Sequence, residues 1–140
     1  MSTPTPSRRP LPVLDIDNRT FWTGGGTGKL MITSCVDCDF LIHPPTDFCP
    51  ACESRRVAPK AVSGQATIIS LTVNHRAWYP DLPVPYVVAL VALAEQPEVQ
   101  LVTNIVDCDP LEPRIGDRVR VKFEQCEDVF VPLFVLDRGA

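Results

Sequence analysis

From Gly64 onward the apolar residues fall into five runs, QATIISLTVNH, YVVALVALAE, VQLVTNIVD, DRVRVKFEQ and VFVPLFVLD, separated by YPDLPVP, EQPE, CDPLEPRIG and CED. The runs are rich in Val, Ile, Thr and Phe, which pack well on a pleated surface, and the breaks carry turn residues, so five strands are predicted. In RVRVKF strict alternation puts Val119, Val121 and Phe123 on one face and Arg118, Arg120 and Lys122 on the other. YVVALVAL is apolar on both faces, which predicts a central strand whose second face is covered by another element or a partner. Five strands of this length fit a small Greek-key barrel.

Upstream the pattern changes. Residues 1–12, MSTPTPSRRPLP, are rich in Ser, Thr and Pro and predict a disordered or extended arm. DIDNRTFWTGGG predicts a short helix, capped by Asp15 or Asp17 and ending at Phe21 and Trp22, that the glycines stop. The glycine run is expected to be a flexible exit into the next module. Its continuation, TGGGTGKL, lacks what a phosphate-binding loop needs: Thr23 stands in place of the first Gly and Leu30 in place of the hydroxyl that holds magnesium. KLMITSCVDC then reads as a short strand running into a cysteine pair, and RRVAPKAVSG as a connector. The expected units are an arm and helix over 1–32, a ribbon over 33–58 and the barrel over 59–140.

Composition narrows the class. The 15 prolines among 140 residues are about twice ordinary usage and disfavour a helical bundle. No run of eighteen apolar residues exists and the N-terminus lacks the apolar core of a signal peptide, so a soluble, cytoplasmic chain with no membrane partner is expected. In a reducing cytosol, six cysteines with four packed into residues 35–52 argue for a metal site rather than disulfides. A net charge of −4 and a pI ≈ 5.1 run against nucleic-acid binding.

Cys35 and Cys38 form one C-x2-C pair and Cys49 and Cys52 another. Two intervening residues let a tight turn present both sulfurs to one ion, and two such knuckles make a tetrahedral S4 site that suits zinc, or a single iron. Pro50, after the third ligand, fixes its turn. Gly often follows the second cysteine of a knuckle, where φ is positive; Asp39 tolerates that conformation, whereas Glu53 predicts a looser second knuckle. Four thiolates leave no open coordination position, so a zinc here is structural. His43 could replace a cysteine as a ligand, but with four thiolates present it reads as a loop histidine before a Pro pair. Cys108 and Cys126 stand among carboxylates that oppose a thiolate, and His75 has no nucleophile near it, nor a spacing-based pairing with carboxylates such as Asp81. No catalytic residue is assigned.

The order of parts is specific: an aromatic FW pair, a ribbon C-x2-C…PP…CPxC, the link SGQATIIS, then VPYVVALVALAE, IGDRVRVKF and VFVPLFV. From about Leu11 to Val135 the chain resembles the zinc-ribbon and OB-fold proteins associated with acyl-CoA metabolism, a family long catalogued as a domain of unknown function. The resemblance implies a mainly β protein: a short N-terminal helix, a rubredoxin-like zinc ribbon and a five-stranded OB-fold barrel. It implies a non-catalytic subunit that completes a thiolase-like enzyme or a lipid-transfer-type aldolase of steroid side-chain degradation, in some systems beside an enoyl-CoA hydratase, with acyl-CoA passing close by. Trp78, Tyr79 and Tyr86 are candidate anchors for that partner, as are Phe21 and Trp22, and Arg118, Arg120 and Lys122 are candidate contacts for the partner or for CoA phosphates. One departure is that Gln96 and Pro97 follow Glu95 where the family often has Gly, which bears on the hairpin after Glu95.

Two other classes compete. Single-stranded nucleic acid is bound by OB barrels and zinc ribbons through basic grooves and stacked aromatics. Arg118, Arg120 and Lys122, with Arg114, supply the charge, but those strands carry few aromatics. Electron transfer through iron in the S4 site is the second, although a rubredoxin needs no barrel.

Overall fold

The structure is a computed structural model that describes residues 9–79 and 82–138; most of the predicted N-terminal arm, and Asp81, lie outside the described residues. Helix α1 (Arg19–Thr23) and a 3-10 turn (Gly24–Thr27) lead into β1 (Leu30–Cys35). β1 is the centre of a three-stranded antiparallel sheet between β2 (Leu41–Ile42) and β3 (Val57–Val62). β4 (Gln65–Asn74), β5 (Tyr86–Leu93), β6 (Gln100–Val106), β7 (Arg118–Cys126) and β8 (Val129–Leu136) then close a barrel in the order β4-β5-β6-β8-β7. This is the expected mainly β architecture, a ribbon followed by a five-stranded barrel.

The barrel follows from the predicted alternation. On β7, Val119 is buried while Arg118, Arg120 and Lys122 are exposed. β5 is central, paired along its length with β4 and β6; Val87, Ala89 and Val91 fill the interior, and Val88 and Leu90 stay half-buried on the outside. The least complete seam lies between β6 and β8, which pair in parallel only at Ile105↔Phe134 and Val106↔Val135. Just beyond it Pro132 has no N–H to extend the ladder, and its C=O accepts a hydrogen bond from Thr103 Oγ1 at 3.0 Å instead.

Ribbon and barrel share one core. Leu30, Ile32 and Leu41 from the first sheet are buried in the same cluster as Ile68, Val91, Leu101, Val119 and Phe134 from the second. The glycine run is part of this packing, which corrects its reading as a flexible exit. A Cβ on Gly25 would lie 2.5 Å from Phe123 Cδ1 and 2.6 Å from Phe130 Cβ, so the side chain is absent because the turn touches the barrel wall. Gly64, at φ 81 between the two sheets, likewise faces Val121.

Two local expectations also change. The helix starts at Arg19, later than predicted, because Asp15 Oδ1 accepts the N–H groups of Asp17 and Asn18, each at 2.8 Å, and so closes a turn ahead of it. The segment read as a connector contains β3, which pairs with β1 from Leu30↔Val62 to Cys35↔Val57. Its side chains are mostly exposed, and Pro59 is tolerated because β3 is an edge strand.

Gln96, the residue that departs from the resemblance, joins the two sheets. Its Oε1 accepts from Leu41 N–H at 2.9 Å and its Nε2 donates to Leu41 C=O at 2.8 Å, so one side chain completes the edge of β2 as a neighbouring strand would. Glu95 takes the other side of the junction, accepting from Ser63 N–H at 2.6 Å and from Ser63 Oγ at 3.2 Å. Gln96→Ala leaves two partly buried main-chain groups unpaired and is expected to lower the unfolding free energy by about 2 kcal/mol. Gln96→Glu should recover little of it, since a carboxylate accepts from Leu41 N–H but has nothing to give its C=O. Chemical denaturation of the metal-loaded variants checks both.

Candidate metal centre and inter-sheet crevice

Each cysteine pair sits on a tight turn that its backbone enforces. In the first knuckle Asp39 N–H donates to Cys35 C=O at 2.9 Å and Cys35 N–H to Phe40 C=O at 2.9 Å. In the second, Glu53 N–H donates to Cys49 C=O and Cys49 N–H to Ser54 C=O, both at 2.8 Å. Asp39 and Glu53 take φ of 63 and 65, the left-handed conformation expected after a knuckle. Glu53 therefore adopts the same turn as Asp39, and the second knuckle is no looser than the first. Asp37 ties the two together: it accepts from Ser54 Oγ, and from an Arg56 guanidinium nitrogen at 2.8 Å.

The four sulfurs lie within 4.8 Å of one another, with Cys35–Cys52 at 3.5 Å and Cys38–Cys49 at 3.6 Å. Four thiolates about 2.3 Å from a tetrahedral ion stand about 3.8 Å apart, so the donor set fits zinc and fills its coordination. Cys35 and Cys49 are buried with Ile42 in a small cluster backed by Phe40 and Val57, while Cys38 and Cys52 are exposed. Bound there, a zinc ion supplies folding energy and no open position for substrate. Without it the thiols share protons unevenly. Cys35 is lowered to about 7: burial opposes ionisation, but N–H groups of Cys38 and Asp37 and the neighbouring thiols outweigh it. Cys38 is raised to about 12: the Phe40 N–H favours its thiolate, but burial and hydrogen bonding to the other three sulfurs prevail.

The other candidates scatter. Among the described residues His43 belongs to no metal-ligating cluster; it packs its ring 5.1 Å from Phe21, and burial lowers its pKa. Cys108 is raised, by burial first and then by Glu112, Asp109 and Asp107 against the pull of Arg138. Cys126 is buried and His75 is exposed. Phe21 packs on the shared core and meets Trp22 edge-on, with centroids 4.9 Å apart. Trp78 is exposed but held, stacked under Arg76 at 4.1 Å and donating to Asn74 Oδ1 at 3.2 Å, with Tyr79 exposed beside it and Tyr86 half-buried at the start of β5. Lys122 pairs with Asp107 at 2.5 Å. Arg118 lines two hollows, one of them with Arg114 and Arg138.

Sequence reasoning missed the crevice between the sheets. It measures ≈ 450 Å³, with Trp22, His43 and Pro44 on one wall and Val88, Val102, Val131 and Pro132 on the other. Arg9 closes one end, donating to Asn104 Oδ1 at 2.7 Å and to Glu124 at 3.1 Å. Val102 is 75% exposed there. No motif marks such a site, because its walls come from β5, β6, β8, the helix and the ribbon loop.

Because thiols must lose protons to hold the ion, zinc affinity is expected to fall as pH falls. From pH 8 to pH 6 a loss of about a hundredfold or more follows from the release of at least one proton per ion. Competition against a chromophoric chelator measures it, and an affinity independent of pH would exclude thiolate ligation.

Among the described residues no helix is long and apolar enough to cross a membrane, a statement that leaves β-barrels aside. Two family profiles match the chain: the ChsH2 rubredoxin-like zinc ribbon domain over residues 22–58 and the ChsH2 C-terminal OB-fold domain over residues 59–124. The chain is 33% identical over 127 residues to a probable enoyl-CoA hydratase alpha subunit of Thermomonospora curvata, covering 90% of this chain but only 39% of that relative. It is 32% identical to a DUF35 domain-containing scaffold protein of Methanothermobacter thermautotrophicus, covering 69% of this chain and 72% of that one. Among solved structures, a chain of an Ltp2-ChsH2(DUF35) aldolase superposes with a TM-score of 0.80 at 31% identity, over 90% of this chain and 98% of that one. With ribbon, barrel and cysteine cluster all matched, the chain belongs to the DUF35 family, as a ChsH2-type zinc ribbon joined to an OB-fold barrel.

Proposed function

We propose that the chain is a non-catalytic accessory subunit that binds and completes an enzyme acting on acyl-CoA thioesters, of thiolase-like or lipid-transfer-type aldolase fold. The observation that carries the reading is the likeness, over nearly the whole chain, to a chain of an Ltp2-ChsH2(DUF35) aldolase. The scaffold-protein name of the archaeal relative supports a binding role. The hydratase name belongs to a relative more than twice as long, of which this chain matches 39%, and supports an acyl-CoA setting rather than an activity of this chain.

The surface agrees with that role. A crevice walled by an indole, three valines and two prolines keeps apolar area in contact with water that a partner would bury. Trp22 is its anchor, and Phe21 acts behind it by fixing the helix. Trp78, pinned by Arg76 and Asn74, is already ordered, and a rigid aromatic gives up little conformational freedom on binding. Arg118 and Arg120 suit acidic groups of a partner or the phosphates of CoA, and the ion pair with Asp107 makes Lys122 a weaker candidate. Nucleic-acid binding has less support, since the exposed side chains of β7 run Arg118, Arg120, Lys122 and then the acidic Glu124, with no aromatic between them.

Affinity purification of the tagged chain from its native host at moderate salt is expected to recover a thiolase-fold enzyme in near-equal amount. Trp22→Ala should weaken that complex at least tenfold while leaving zinc content unchanged. Recovery of the chain alone, or with nucleic acid that salt removes, would sink the reading.

A further inference from the structure

The crevice exposes a strand edge as well as apolar side chains. Among the described residues β6 meets β8 only at Ile105 and Val106, so residues 100–104 run on with β5 as their one described neighbouring strand. The register decides which main-chain groups stay open. On β8, Pro132 stands opposite Phe123 of β7 and has no N–H to give it, so the even-numbered residues of β8 face β6. Across the parallel pair, Phe134 then reaches the C=O of residue 104 and the N–H of residue 106. The even-numbered residues of β6 therefore point to this edge and the odd-numbered ones to β5. The bond from Leu93 N–H to Val99 C=O has the same parity.

Gln100 and Val102 thus turn N–H and C=O into the crevice. In an unbroken ladder residue 132 would donate to the Val102 C=O, and a proline there has nothing to donate. Its own C=O is taken by the Thr103 hydroxyl. All of residues 100–104 line the crevice. Exposed strand edges are usually blunted by Lys, Pro or a bulge; this one carries a Gln and a 75% exposed Val.

We propose that this edge takes an extended peptide segment of the partner enzyme, added as a strand beside β6. The choice of ligand follows from spacing. Open positions at residues 100 and 102 repeat about every 6.6 Å, and the backbone of an extended chain repeats its own donors and acceptors at the same interval. Val88, Val131, Pro132 and Trp22 then receive its apolar side chains. The inference rests on the accessory-subunit reading and specifies how the partner is held.

Residue-resolved amide hydrogen exchange on the full chain, alone and in complex with the co-purified enzyme, tests it. Alone, the Val102 amide should exchange as an open edge while those of Leu101 and Thr103 are protected; in the complex it should slow at least tenfold. Val102→Pro, which deletes an N–H not bonded to β5, should weaken the complex at least tenfold, and Val102→Thr should not. A complex that forms while Val102 still exchanges freely overturns this inference and leaves the accessory role standing. Absence of any complex overturns both. Protection of Val102 in the chain alone, as when this chain's own residues cover the edge, also overturns it.

Discussion

The four sulfurs of Cys35, Cys38, Cys49 and Cys52, within 4.8 Å of one another, are the constraint on which the N-terminal half depends. The ribbon's own core is Cys35, Ile42 and Cys49 with Phe40 and Val57 against it, far too little apolar area to hold two left-handed turns and a two-residue strand. A filled tetrahedral site supplies what that core lacks, and the Asp37 bonds to Ser54 and Arg56 keep the knuckles facing each other. β2 follows the first knuckle directly, and His43 and Pro44 follow β2, so the knuckle sets where one wall of the crevice stands.

That arrangement reaches the barrel by three kinds of contact. Leu30, Ile32 and Leu41 sink into the barrel's core. Gly25 lets the 3-10 turn lie against Phe123 and Phe130. Gln96 supplies an artificial strand edge to Leu41. Together they make the crevice a fixed feature of the fold, and the failure of β8 to close on β6 at Pro132 keeps its floor open.

How much of this was legible in the sequence depended on the range of the interaction involved. The cysteine knuckles were readable because their geometry is encoded in two-residue spacings, and the barrel strands because burial imposes period two on Val119, Val121 and Phe123. β3 was not readable, since an edge strand with exposed side chains has no apolar rhythm and Pro59 argues against it locally. The glycine run was misread because what forbids a side chain at Gly25 lies about a hundred residues away on β7 and β8. Glu53 was misjudged because two knuckle hydrogen bonds hold a turn that its own preference disfavours. Gln96 looked like a loss of family pattern, and its role shows only when Leu41 is placed opposite. The crevice, assembled from the helix, the ribbon loop and three strands of the barrel, left no local signature at all.

The central claim is that the metal organises one wall of a binding crevice on a barrel most of whose core comes from its own strands. Two-dimensional amide NMR of the zinc-loaded chain before and after chelation tests it most directly. The account predicts that signals of β4 to β8 persist while those of Leu41, His43, the Gln96 side-chain amide and the Trp22 indole shift or vanish. An unchanged Trp22 and Gln96 after zinc is gone, or collapse of the barrel signals with it, would contradict that claim.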